Sequence, residues 1–214
     1  MSDFPFDLLS DHEELARLGV WEAEVYADFD ALRSGSMDEA AFRAKYLRNV
    51  AIMCLDMTGF TESAIHLGEV ASLQRIYDVQ RVAVPVLKAN QALNVRAFAD
   101  DLTAIFGTAD QALDAALAIH ERIRVFNASP LASPHPAECA IGIGFGKVFS
   151  IGPDRAMGDE MNRASKLGED TARGGETLIT ENCRAALAHR QDCQFQLAHK
   201  DDLIFPFYMA SPRP

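Results

Sequence analysis

The order of short apolar runs and long amphipathic segments in the middle of the chain is the feature that most constrains its fold. The apolar runs have the length and residue types of strands, and the longer segments have helical periodicity. They follow one another as strand, helix, strand, strand, helix and strand, at residues 50–55, 63–90, 95–98, 102–106, 109–126 and 137–151. This order predicts a βαββαβ core in which helices pack on one face of an antiparallel sheet.

The predicted fold class is therefore α+β, with a ferredoxin-like core that is followed by extra C-terminal elements. These elements are predicted as a helix, a strand, a helix and two strands, at residues 159–172, 177–179, 181–189, 193–197 and 203–209. The glycines in the run at 137–151 predict a hairpin that turns near Gly146.

Residues 1–48 are predicted to form a helical accessory or dimerisation segment, separate from a domain at 49–214. Apolar side chains recur at three- and four-residue steps on one stripe of a predicted long helix: Leu15, Leu18, Trp21, Val25, Phe29 and Leu32. Ser36 and Glu39 match a capping box that opens a second helix. The stripe can serve signal transmission or dimer formation, or it can pack on its own domain, and the sequence leaves both interpretations open.

The net charge of −11 argues against partners that are themselves polyanions, such as nucleic acid or an anionic membrane. The longest apolar runs fall short of the roughly 18 residues that a membrane-spanning helix needs. The N-terminal sequence lacks the basic and apolar regions of a secretory signal. Four cysteines without a CxxC pair are typical of reduced core residues, so we expect a cytoplasmic protein.

The first candidate site lies where the apolar run at 50–55 ends. Asp56 leaves this predicted strand and is followed by a turn that contains Gly59. A carboxylate at the end of a buried strand can hold a divalent cation, and the backbone N–H groups of the following turn can bind phosphate. Taken alone, the motif is equally typical of a helix N-cap or a simple turn.

The second candidate site is the acidic pair Asp100–Asp101 between two predicted strands. In a βαββαβ sheet the first strand neighbours this hairpin, so we expect Asp56 to face Asp100. Two adjacent carboxylates repel each other unless a cation neutralises them, and oxygen ligands beside a phosphate suit Mg²⁺ or Mn²⁺. The two motifs together therefore predict a divalent-metal site.

The third candidate site is a polar helix face within residues 158–167. Asn162 and Lys166 are four residues apart, which places them on one face of a helix. An amide and an ammonium group on one face can hold a ribose and a triphosphate, although a solvated surface has the same pattern.

In this order and spacing, the three motifs resemble the class III adenylate/guanylate cyclase catalytic domain. The family's signatures are Asp-x-x-Gly-Phe-Thr, Gly-Asp leading through a strand to Phe-Gly, and Gly followed by Asn and Ala-Ser-Arg. Here they are matched by Asp56–Thr61, Ala99–Gly107 and Gly158–Lys166. The resemblance covers about residues 49–210, and a strand pair rich in glycine at 141–146 matches as well.

The resemblance implies a nucleotidyl cyclase fold and a two-metal site at a homodimer interface. Two Mg²⁺ or Mn²⁺ ions would be held by Asp56, Asp100 and the backbone carbonyl of Met57. The second subunit would supply Asn162 to orient the ribose and Lys166 to stabilise the transition state. The remaining implied contacts are Gly59, Phe60, Thr61 and Lys200 with the phosphates, and Arg96 and Arg155 with the base.

Several positions depart from the family's pattern and keep alternatives open. Lys166 replaces an arginine and lacks its planar fork, Ala99 replaces a glycine, and Arg96 and Arg155 replace the usual purine-reading pair. ATP is the default substrate of the family. A cyclase for a non-purine triphosphate is one alternative, and a weak or inactive module for nucleotide binding or dimeric signalling is the other.

Overall fold

The computed structural model of the chain describes residues 5–19, 21–59, 65, 68–132, 136–151, 156–201 and 203–213. In chain order, the described elements are α1 (His12–Leu18), α2 (Ala23–Ser34), α3 (Glu39–Tyr46), β1 (Leu47–Met57), α4 (Glu69–Ala89), β2 (Asn94–Phe98), β3 (Asp101–Phe106), α5 (Ala109–Asn127), β4 (Cys139–Ser150), β5 (Ala156–Met157), α6 (Asp159–Asp170), β6 (Thr177–Thr180), α7 (Glu181–Ala186), β7 (Cys193–Ala198) and β8 (Phe207–Pro212). They belong to two structural units. One comprises Met1–Arg48 and Phe149–Met157, and the other comprises Asn49–Val148 and Gly158–Pro214.

The sheet has the strand order β2–β3–β1–β4–β6–β8–β7. Its first four strands, with α4 after β1 and α5 after β3, form the ferredoxin-like βαββαβ core. β6 lies parallel to β4, and β8 and β7 extend the sheet in antiparallel fashion. The predicted α+β class and the predicted order of elements are therefore confirmed.

Helices cover both faces of this sheet. Successive strand residues point to opposite faces, so alternate residues of one strand meet different helices. Met53 and Leu55 of β1 pack into the large apolar core with α4 and α5. On the opposite face α6 lies directly on the strands, and a Cβ added to Gly168 would lie 2.5 Å from the carbonyl oxygen of Cys54. The prediction that helices pack on one face therefore describes only the βαββαβ core.

Two local predictions in the C-terminal half were wrong. β4 runs as one strand through Gly146, so the chain does not turn there. The return strand is β5, which pairs with Phe149 and Ser150. The last strand is Phe207–Pro212, several residues later than the predicted 203–209, because its pairing with β7 and β6 decides its position.

The unit that contains the N-terminus has a small aromatic core of its own. The predicted long helix is two helices, and Gly19 follows the end of the first. Val25 is buried with Phe42 and Tyr46 of α3, and Phe29 packs against them. Asp11 caps α1 and Asp38 caps α3, because these side chains accept hydrogen bonds from backbone N–H groups of the first turns. The predicted Ser36 cap was therefore wrong.

Candidate active site

Strand β1 carries Asp56 to the edge of the large core. Leu55 and Met57 are buried, at 1% and 2% exposure, and Asp56 between them faces the side of the sheet that α6 covers. The backbone N–H of Thr58 donates to the carbonyl of Glu138 at 3.1 Å, which ties the end of β1 to the start of β4. Gly59 then turns the chain with a φ of 71°, a backbone conformation that favours glycine.

The hairpin of β2 and β3 brings a second and a third carboxylate to the same place. β3 pairs with β1 so that Leu102 lies opposite Leu55, and the same register places Asp101 opposite Asp56. Asp100 lies in the turn between the strands, after Ala99, which has a φ of 51°. The structure thus brings Asp56 close to both acidic residues, and its direct cross-strand partner is Asp101.

Crowding of negative charge changes the protonation of this cluster. Burial, followed by the charges of Asp101, Asp100 and Glu169, raises the pKa of Asp56 to about 7, although the N–H of Met57 acts in the opposite direction. Burial and the Asp100 charge also raise the pKa of Asp101, whose carboxylate is hydrogen-bonded to Asp56. The carboxyl group of Asp56 therefore stays protonated well above the pH at which an ordinary aspartate ionises.

Glu169, near the end of α6, completes the cluster. Burial and the Asp101 charge raise the pKa of its carboxyl group, whereas a hydrogen bond from Ser165 lowers it. The sequence analysis did not assign a role to Asp101 or Glu169. The residue-by-residue register of β1 and β3 would have indicated Asp101 as the partner of Asp56. Glu169 comes near the cluster only because α6 packs on the sheet.

The donor chemistry of this cluster fits a hard divalent cation. Its side chains offer only carboxylate oxygens, which Mg²⁺ and Mn²⁺ prefer, and a cation would relieve the repulsion that raises the pKa of Asp56. Among the residues that the structure describes, however, no group of three Asp, Glu, His or Cys side chains is arranged to hold a metal ion. Two metal ions at Asp56, Asp100 and Met57 therefore stay a prediction.

The third motif lies on α6, as predicted. Asn162 is exposed and its backbone N–H donates to Gly158, while Lys166 one turn later pairs with Asp170 at 2.9 Å. Asn162 precedes Glu169 by seven residues, which corresponds to about 10 Å along the helix axis. Asn162 is thus exposed on α6, about two helical turns from Glu169 of the carboxylate cluster.

The two predicted phosphate-binding lysines lie together. Lys200 donates to the backbone carbonyl of Asp170 at 2.8 Å, and Lys166 pairs with the carboxylate of the same residue. Phe60 and Thr61, the other predicted phosphate contacts, lie outside the described residues, as does Arg155.

Arg96, the other predicted base contact, lines a small pocket beside the carboxylates. The pocket has a volume of about 170 Å³, and its walls are formed by Arg96, Phe98, Asp101, Thr103 and Glu169. The guanidinium group of Arg96 lies 5.7 Å from the centre of the Phe98 ring. A ligand here would meet hydrogen-bond donors from Arg96 and acceptors from the carboxylates.

Comparison with known proteins identifies the fold. No protein-family model matches the chain, and no curated protein matches it either. Solved structures do match. The adenylyl cyclase CyaB from P. aeruginosa has a TM-score of 0.64 at 18% identity, covering 78% of this chain and 96% of that one. The guanylate cyclase domain of RhGC from Catenaria anguillulae, in complex with GTP, has a TM-score of 0.64 at 20% identity, with coverages of 78% and 97%.

A third match is the guanylyl cyclase domain of the RhoGC fusion protein from the aquatic fungus Blastocladiella emersonii. Its monomeric form has a TM-score of 0.65 at 19% identity and covers 79% of this chain and 99% of that one. A non-standard dimeric form has a TM-score of 0.64 at 18% identity, with coverages of 79% and 98%. The chain therefore has the nucleotidyl cyclase fold, and the resemblance to class III cyclase catalytic domains is confirmed at the level of the fold.

Within the described ranges, no helix is long and apolar enough to cross a membrane. All four cysteines are buried and unpaired, as predicted.

Proposed function

We propose that the chain is a nucleotidyl cyclase that converts a nucleoside triphosphate, ATP by default, to a 3′,5′-cyclic nucleotide and pyrophosphate. The observation that carries the proposal is the pair of raised carboxyl pKa values at Asp56 and Asp101, on a nucleotidyl cyclase fold. Carboxylates that cannot all ionise together are suited to hold a cation.

In this proposal Asp56, Asp100 and the carbonyl of Met57 hold two Mg²⁺ or Mn²⁺ ions. When bound, such ions neutralise the phosphates and lower the pKa of the ribose 3′-hydroxyl group. The hydroxyl gives up its proton to solvent water, a bond forms between O3′ and the α-phosphorus, and the bond from that phosphorus to the bridging oxygen breaks as pyrophosphate leaves. This chemistry depends on positioning and charge neutralisation.

The polar groups on α6 act on the substrate of a second copy of the chain. Asn162 orients the ribose and Lys166 neutralises charge that develops on the α-phosphate. Because Asn162 lies about 10 Å along α6 from Glu169 of the carboxylate cluster, a symmetric dimer is the arrangement that brings it to a reacting ribose. Gly59, Phe60, Thr61 and Lys200 contact the phosphates.

The base is contacted by Arg96 and Arg155. A second candidate substrate is a non-purine triphosphate, because Arg96 and Arg155 replace the usual purine-reading pair. The pocket at Arg96 combines a guanidinium group with the carboxylates of Asp101 and Glu169. Such a pair can bind any base edge that carries an acceptor beside a donor. The residues 1–48 are proposed as the accessory segment of this catalytic domain.

The decisive experiment is incubation of the purified chain with each of the four ribonucleoside triphosphates and Mn²⁺. Cyclic products and pyrophosphate are measured by mass spectrometry and a coupled assay. We expect one preferred triphosphate, and loss of product in Asp56→Ala and Asn162→Ala. Absence of product with all four would contradict the enzyme and favour a nucleotide-binding module, and product from Asp56→Ala would contradict the site.

A further inference from the structure

One residue, Asp170 at the end of α6, engages both lysines of the proposed phosphate site. Its carboxylate pairs with Lys166 at 2.9 Å, one helical turn away. Its backbone carbonyl accepts a hydrogen bond from Lys200 at 2.8 Å. The side chains that would meet a triphosphate are therefore held at one place before any ligand arrives.

The two contacts differ in what a phosphate can do to them. The bond from Lys200 goes to a carbonyl at the C-terminal end of a helix, where a cation is favoured. The bond from Lys166 goes to an anion, and both side chains are well exposed, at 42% and 57%. An exposed ion pair of this kind is weak, so a polyphosphate can displace the carboxylate.

We propose that Asp170 is a positioning residue that competes with the triphosphate for Lys166 and thereby limits the affinity of the site for polyphosphate. The inference rests on the proposed function, in which Lys166 contacts the substrate phosphates. In the protein without ligand, the ammonium group of Lys166 lies against the carboxylate of Asp170, one turn further along the same helix. When polyphosphate binds, the ammonium group exchanges one anion for another.

The competition affects the product as well as the substrate. Pyrophosphate carries the charge that Lys166 binds, and the carboxylate of Asp170 is in place to recapture the ammonium group when pyrophosphate leaves. Because Lys166 lacks the planar fork of an arginine, it binds phosphate as a point charge and is easily shared between two anions. Asp170 thus favours release of pyrophosphate at the cost of tight substrate binding.

The test is Asp170→Asn in the full chain, with binding of inorganic tripolyphosphate and of pyrophosphate measured by calorimetry in Mg²⁺ buffer. Removal of one exposed ion-pair partner is expected to tighten binding about two- to fivefold. If the chain turns over, KM falls by a similar factor and kcat falls where pyrophosphate release limits it. Asp170→Glu keeps the charge and is expected to retain the wild-type affinity.

A matched control lies on the same helix. Asp159 pairs with Arg163 at 2.7 Å with the same four-residue spacing, so Asp159→Asn removes an equivalent ion pair away from the two lysines. This variant is expected to leave tripolyphosphate affinity unchanged. Equal tightening in both variants would show a general effect of charge and would overturn the role of Asp170.

Lys166→Ala separates failure of this inference from failure of the proposed site. If Lys166→Ala weakens tripolyphosphate binding but Asp170→Asn leaves it unchanged, the phosphate site stands and the competition by Asp170 is wrong. If Lys166→Ala binds tripolyphosphate as the wild type does, Lys166 is not a phosphate ligand and the assignment on which the inference rests is wrong.

Discussion

Asp101 lies opposite Asp56 across the β1–β3 pairing. Burial and the charges of Asp101, Asp100 and Glu169 raise the pKa of Asp56 to about 7. The repulsion among these carboxylates also makes the end of β1 attractive to a cation.

The raised pKa predicts how stability depends on pH. An ordinary Asp side chain titrates near pH 4, so between about pH 4 and pH 7 the folded state binds more protons at Asp56 than the unfolded state does. The free energy of unfolding therefore falls as the pH rises through this window. Asp56→Asn removes the titration, and we expect it to stabilise the chain by about 1–2 kcal/mol at pH 8, because solvent screens part of the repulsion.

At pH 4 the same substitution is expected to change little, because Asp56 is then protonated and resembles an amide in shape. Urea denaturation at both pH values measures the difference, and Asp159→Asn, an exposed carboxylate, provides the control. Added Mg²⁺ or Mn²⁺ should stabilise the wild type at pH 8 more than Asp56→Asn. Equal stabilisation of both proteins by the ion would place the metal elsewhere.

The turn that holds Asp100 contains a residue in a costly conformation. Ala99 has a φ of 51°, which a residue with a side chain adopts at a cost of roughly 1–2 kcal/mol and glycine adopts freely. Ala99→Gly is expected to raise the free energy of unfolding by about 0.5–1 kcal/mol, because the relief of this strain is partly offset by the greater freedom that glycine loses on folding. Ala97→Gly, in the neighbouring strand β2, is the control and should destabilise the chain by a similar amount. A loss of stability in Ala99→Gly would contradict the strained turn.

The βαββαβ core was predictable because it rests on local patterns, which decide the type and order of elements. The sequence did not indicate as well which side chains face each other. Asp100 was expected to face Asp56, but the register of two strands places Asp101 there. Glu169 is exposed at the end of α6, and its charge acts on Asp56 and Asp101 only because α6 lies on the sheet, through contacts distant in sequence. In the same way, the apolar stripe from Leu15 to Leu32 does not show that the helix ends before Gly19.

The proposed shared site predicts complementation between inactive chains. Asp56→Ala lacks the metal site and Asn162→Ala lacks the ribose contact, so each homodimer is expected to be inactive. A heterodimer would combine the carboxylates of one chain with the amide of the other. Random mixing of equal amounts should therefore restore about a quarter of the wild-type rate of cyclic nucleotide formation. Each variant mixed with an Asp56→Ala, Asn162→Ala double variant is the control, and both of these mixtures should stay inactive, since the double variant supplies neither group.

The double variant lacks both groups and so can rescue neither partner. Both of its mixtures are thus expected to stay inactive, in contrast to the mixture of single variants. A mixture of single variants that stays as inactive as each variant alone would show that each chain completes its own site, and activity of Asn162→Ala alone would show that the amide is not needed.

The contact between α6 and the sheet predicts the last effect. A Cβ at Gly168 would lie 2.5 Å from the carbonyl oxygen of Cys54 and 2.9 Å from the backbone nitrogen of Gly142, and neither backbone atom can rotate away. Gly168→Ala is expected to destabilise the chain by about 2–3 kcal/mol, because α6 must lift from the strands. Glu169 and Asp170 follow directly, so the pKa of Asp56, followed by NMR, should fall as Glu169 moves away. Gly107→Ala is the control, since its Cβ would meet only the Gln111 side chain at 3.4 Å. Equal unfolding free energies for the two variants would show that α6 does not rest on Gly168.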